Sequence, residues 1–146
     1  MRKPIIAIIA VGAALMLTAC STTAGPQLAV MDEGGNAQLP DWVENPEGIP
    51  TIDLTLIGEY DDMTVYASRN DDDEWCVIAA LAPLASENDW VVSTACGPAI
   101  YFGINGAEIR GGSSTRSGGA LLLPDGYTGT IEDGWVRIND NLAVWE

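Results

Sequence analysis

A small all-β domain, an antiparallel sandwich or barrel, is the fold this sequence predicts, preceded by a cleaved leader and an extended tether. Three observations carry that expectation. From residue 52 onward, short runs of β-branched and aromatic residues recur at spacings of about eight to twelve residues. Between them stand Asp61-Asp62, Asn105-Gly106, Asp125-Gly126 and Asp133-Gly134, pairs that tolerate the positive φ of tight hairpin turns. Beyond the leader, no stretch sustains the helical period of about 3.6 residues. At 146 residues the chain is long enough for one compact domain with short appendages.

The first element is the leader. Met1-Arg2-Lys3 is a cationic start, and after Pro4 the run Ile5 to Leu17 holds no polar or charged side chain. These are the n-region and h-region of a secretory signal peptide. As a helix the apolar run spans roughly 20 Å, short of the roughly 30 Å hydrocarbon core of a bilayer, so cleavage is expected rather than a permanent span.

The leader closes on Leu17-Thr18-Ala19-Cys20. Over residues 1–20 the chain resembles a bacterial lipoprotein precursor, in which an aliphatic residue, two small residues and a cysteine form the lipobox. The resemblance implies that diacylglycerol is attached to the Cys20 thiol and that a signal peptidase then cuts just before it. Small side chains suit a peptidase that takes the extended backbone into a narrow cleft. Cysteine arithmetic points the same way: three cysteines in an exported chain leave an odd one, and lipid on Cys20 leaves Cys76 and Cys96 as a pair. Two acyl chains, at about 0.8 kcal/mol per buried methylene, would hold the protein on the outer face of the cytoplasmic membrane.

Charge and composition exclude several classes of function. Lys+Arg number 6 against 21 Asp+Glu, a net charge of −15, and there is no histidine. The commonest general base and the commonest zinc ligand are therefore missing. Removal of residues 1–19 leaves no lysine, and only Arg69, Arg110, Arg116 and Arg137 face all 21 acids. Such a chain has no basic patch for a nucleic-acid backbone. Its charge would keep the body away from anionic lipid headgroups.

Residues 20–51 contain Pro26, Pro40, Pro46 and Pro50 with several glycines and no regular period, and are expected to form the lipid-anchored tether. Trp42-Val43 within it is a candidate docking point. Residues 52–146 are the acidic, disulfide-stapled β-domain, with strands expected at 52–59, 63–68, 75–81, 90–96, 99–104, 107–110, 120–123, 128–132, 135–138 and 142–145. No helix is expected in it.

Strand parity places the disulfide. Antiparallel pairing of 75–81 with 90–96, with Cys76 opposite Cys96, sets Ile78 opposite Thr94 and Ala80 opposite Val92, so that cysteine and apolar side chains share one buried face. An oxidising compartment makes that bond the expected state.

Three features could carry chemistry. Asp71, Asp73 and Glu74, in the run Arg69 to Glu74, are oxygen-bearing calcium candidates, but the spacing departs from the EF-hand pattern, and a solvated acidic turn is the competing reading. The run Gly111 to Gly119 resembles a phosphate-cradling loop without its lysine; it reads as a flexible surface loop, or as a ligand-gripping one centred on Arg116. Tyr60, Tyr66, Trp75, Trp90, Tyr101, Tyr127, Trp135 and Trp145 supply either core or a stacking platform for sugars. No carboxylate pair stands out for glycoside hydrolysis, and no residue is at hand to activate a serine. The expectation is thus a non-enzymatic envelope protein without a cofactor, held to the membrane through Cys20 and interacting with an envelope protein or cell-wall component. The alternative is a small-ligand receptor for calcium or a cell-wall saccharide.

Overall fold

The structure, a computed structural model, describes residues 25–32, 35–44, 47–84 and 89–145. The expected signal peptide of residues 1–19 and the expected lipidation residue Cys20 lie outside the described residues. Two four-stranded antiparallel sheets pack into a sandwich. The first is ordered β1-β2-β3-β4, from Ile52–Tyr60, Met63–Arg69, Trp75–Leu81 and Val91–Gly97; the second is ordered β5-β6-β8-β7, from Ala107–Gly112, Ser117–Leu122, Leu142–Trp145 and Trp135–Asn139. Among the described residues, two short helices accompany them, α1 at Ala29–Asp32 and α2 at Ala99–Asn105.

Alternation explains how the sheets meet. On β2 and β3, Val65, Ala67, Trp75, Val77, Ala79 and Leu81 face inward and meet Ala120, Leu122, Leu142 and Val144 of the second sheet. Residues of the opposite parity are also covered. Leu54, Tyr66, Ile78 and Ala80 form a second apolar layer beneath Ala37, Leu39, Trp42 and Ile49, and Leu121, Leu123 and Ala143 form a third beneath Tyr127, Ile131 and Trp135. Every residue of β3 is buried as a result. Its sequence, WCVIAAL, is accordingly a continuous apolar run of the kind that two covered faces require.

The second layer shows where the expected tether runs. From Gly25 onward the described part of residues 20–51 lies against the sandwich. Leu28 is 1% exposed within the main core. The Ala37 amide donates to the Leu54 carbonyl at 3.1 Å, and the Trp42 ring lies 6.2 Å from that of Trp90. Apolar residues at irregular intervals show no period, yet a segment that crosses a sheet without joining it needs none.

Cys76 and Cys96 are bonded, with Cα atoms 4.0 Å apart. The register is the one parity predicts, with Ile78 opposite Thr94 and Ala80 opposite Val92. Burial is one-sided, however. Cys76, Ile78 and Ala80 are sealed, whereas Thr94 and Cys96 on the edge strand β4 are exposed.

Two expected strands are not strands. Residues 99–104 form α2, bracketed by Pro98 as N-cap and by Gly106, whose φ of 74° is the left-handed stop and whose amide donates to the Phe102 carbonyl. Asn105-Gly106 is therefore a helix end rather than a hairpin turn. The helix carries the chain from the first sheet to the second. On the way it buries Phe102 at 1% exposure, stacked on Trp75 with centroids 4.9 Å apart. Residues 128–132 are loop, because β8 occupies the place beside β6 and the chain must cross over it to reach β7 at the edge. Ile131 still packs on the sheet, against Leu121 and Leu123 on its outer face.

Candidate interaction surface

The acidic turn between β2 and β3 is closed on itself. The Asn70 side-chain oxygen accepts from the amides of Asp72 at 3.1 Å and Glu74 at 2.9 Å, while its nitrogen donates to Glu74 Oε2 at 2.8 Å. Arg69 pairs with Asp73 and stacks 4.4 Å over the Trp75 ring. Asp73 takes a φ of 61°, so the backbone turns sharply there. The calcium candidates Asp71, Asp73 and Glu74 are not brought together. Among the described residues, no three acidic or thiol side chains are grouped so as to hold a metal ion.

At the opposite end of the first sheet, Arg116 acts as a clamp. Its guanidinium pairs with Asp62, donates to the Ala82 carbonyl and donates to the Asp89 carbonyl at 2.8 Å. Its side chain is 11% exposed. Ser113 and Thr115 add hydroxyl bonds to the Asp89 carboxylate at 3.3 and 3.2 Å. The glycine run is no loose loop either. Gly111 and Gly112 end β5, Gly118 and Gly119 lie in β6, and the Ser113 amide closes the turn on the Arg116 carbonyl at 2.7 Å. Arg116 ties this hairpin to the β1–β2 turn and to the connection after β3.

The aromatic residues divide between buried and partly exposed positions. Tyr66 and Trp75 are core. Burial, with the negative charge of Glu59 as a lesser cause, pushes the Tyr66 phenol above its usual range. Trp135 and Trp145 meet edge to face at 5.5 Å, with Arg110 stacked 5.2 and 4.1 Å from their centroids. Tyr101, Tyr127 and Trp135, by contrast, line an open groove of ≈ 280 Å³ together with Asn105, Glu108 and Glu132. In that groove Glu108 accepts a hydrogen bond from Arg110 Nε at 2.6 Å. Aromatic faces beside amide and carboxylate groups match the requirements of polyhydroxylated ligands and of polar peptide segments alike.

Alongside the groove stands the exposed side of α2, the surface that strand reasoning missed. Ile100, Tyr101 and Ile104 are 75, 62 and 67% exposed. Pro98 and Gly106, eight positions apart, were the available sequence signal for that helix. No known family model matches this chain, and no characterised protein or solved structure is significantly similar to it.

Proposed function

We propose that this chain is a lipid-anchored protein of the extracytoplasmic face of a bacterial cell membrane, acting as a non-enzymatic interaction module toward an envelope protein or cell-wall component. The observation that carries the reading is Leu17-Thr18-Ala19-Cys20 at the end of a cationic, then apolar, leader. The Cys76–Cys96 bond supports it twice over: it suits an oxidising compartment, and it leaves Cys20 as the cysteine to be accounted for. No helix among the described residues is long and apolar enough to cross a membrane, which is compatible with attachment through lipid. Mass spectrometry of the membrane fraction tests the anchor. The mature N-terminus is expected at Cys20 with a diacylglyceryl group, and Cys20→Ala is expected to block lipidation and normal processing. A freely released, unmodified wild-type protein overturns the reading.

The groove of Tyr101, Tyr127 and Trp135 favours a second reading, a receptor for a cell-wall saccharide. Calorimetry separates the two. An interaction module is recovered from intact cells crosslinked to an envelope protein or wall polymer, and gives no saturable heat with calcium or with short, free saccharides. Saturable saccharide binding that Trp135→Ala abolishes selects the receptor.

A further inference from the structure

The first described residues of the chain, Gly25 and Pro26, lie beside α2. The chain joins the sandwich at Gly25 and Pro26, and Pro26 packs so closely on α2 that a methyl group added at Gly103 would lie 3.2 Å from its ring. Pro26, Gly103 and Ile104 line one continuous groove. Backbone contacts hold this entry point, with the Asp125 amide donating to the Gln27 carbonyl at 2.8 Å and the Ala29 amide donating to the Asp125 carboxylate at 2.7 Å.

Reach then limits how the body can sit. From Cys20 to Gly25 a fully extended chain spans at most about 17 Å, whereas a body of this size is roughly 35 Å across. The face bearing Pro26 must therefore be the one turned toward the lipid. Charge agrees. In a chain with 21 acids, neither Cys20 to Met31 nor Trp90 to Ala107 contains a charged residue. The nearby Asp125 carboxylate is engaged by the Ala29 amide and by the Asn141 side chain at 2.9 Å. Ile100, Tyr101 and Ile104 project from α2, mostly exposed, with Glu108 and Glu132 beside Tyr101 in the adjoining groove. Two isoleucines and a tyrosine on one short helix are the side chains expected at the boundary of headgroups and acyl chains.

We propose that the Ile100–Tyr101–Ile104 face of α2 rests in the headgroup region of the bilayer that holds the Cys20 lipid, so that the protein is seated on its membrane rather than suspended above it. The proposal depends on the Cys20 anchor proposed above. The acidic turn at Asp71 to Glu74 stands at the same end of the first sheet as α2, since Trp75 pairs with Gly97, so the seating is expected on zwitterionic rather than on anionic lipid.

The test uses the mature protein as isolated from cells, reconstituted into phosphatidylcholine vesicles doped with a diazirine-bearing phosphatidylcholine, irradiated, and mapped by peptide mass spectrometry. Adducts are expected on the segment 95–107, at Ile100, Tyr101 and Ile104, and not at Leu56 or Leu84, which are exposed apolar residues elsewhere. The double variant Ile100→Ser, Ile104→Ser changes only exposed side chains and should lower the adduct yield on that segment about tenfold while Cys20 stays lipidated. The same digest reports the state of Cys20. A lipidated Cys20 with no adducts on α2, with adducts spread equally to Leu84, or with α2 crosslinked to another protein molecule in their place, overturns the seating and leaves the anchor standing. An unmodified Cys20 overturns the anchor, and the seating with it.

Discussion

Arg116 shows how much of this protein's stability depends on one side chain. It bonds to three residues on two separate connections, at Asp62, Ala82 and Asp89, from a position that is 11% exposed. Removing it strands a carboxylate and two carbonyls near the sandwich end, so Arg116→Ala should lower the unfolding free energy by about 2 kcal/mol in a denaturant titration. Arg116→Lys should restore only part of that, because an ammonium cannot reproduce the planar fork. Were Arg116 instead a ligand-gripping residue, Arg116→Ala would leave stability almost unchanged.

Tyr66 supplies a pH signature at the same scale. Its phenol is raised in the folded state by burial and by Glu59. A group raised on folding contributes fully below its unfolded value of about 10 and loses that contribution as pH climbs through the folded one. The wild type should therefore lose stability steeply above about pH 10, and Tyr66→Phe should flatten that alkaline limb in thermal melts recorded from pH 8 to 11.

At the scale of elements, α2 decides how the two sheets are joined. Ile100, Tyr101, Phe102 and Ile104 all favour strands, and the segment is helical because Pro98 starts a turn, Gly106 stops it, and the helix delivers Phe102 onto Trp75. Gly106 is a single-residue test of that geometry. It has a φ of 74°, and a Cβ there would come within 2.5 Å of the Leu122 carbonyl oxygen. Gly106→Ala should cost about 2 kcal/mol or more in chemical denaturation, whereas the same change at Gly25, which has open space around it, should cost little. The crossing 123–134 follows a related logic. Its Ile131 and Tyr127 cover the outer face of the second sheet, although neither belongs to a strand.

Over the whole molecule, the sandwich has three apolar layers where sequence reasoning foresaw one core. The N-terminal segment supplies the lid of the second layer and places Leu28 in the first. Leu28→Ala should thus cost about 2–5 kcal/mol, as for any sealed core leucine, where a free tether would register less than about 0.5 kcal/mol. Urea unfolding monitored by tryptophan fluorescence measures the difference.

What the sequence by itself determined is local in origin. Period-two alternation and turn chemistry marked eight strands that formed, and the Asp61-Asp62 turn carries the expected positive φ at Asp61, 51°. Parity and an even count of remaining cysteines set the Cys76–Cys96 pair and its register. The proposed leader and the proposed lipidation of Cys20 likewise rest on residue order alone. Only the tertiary structure decided the helical state of residues 99–105, the docking of residues 25–44, the clamp at Arg116 and the meeting of Tyr101, Tyr127 and Trp135 around one groove. Each of these depends on what lies opposite in space: Trp75 for Phe102, the outer face of the first sheet for Trp42, and two distant connections for Arg116. Spacing along the chain carries the periodicity of a residue's own element, but the identity of its neighbour is set by how sheets and crossings stack, and no single segment encodes that.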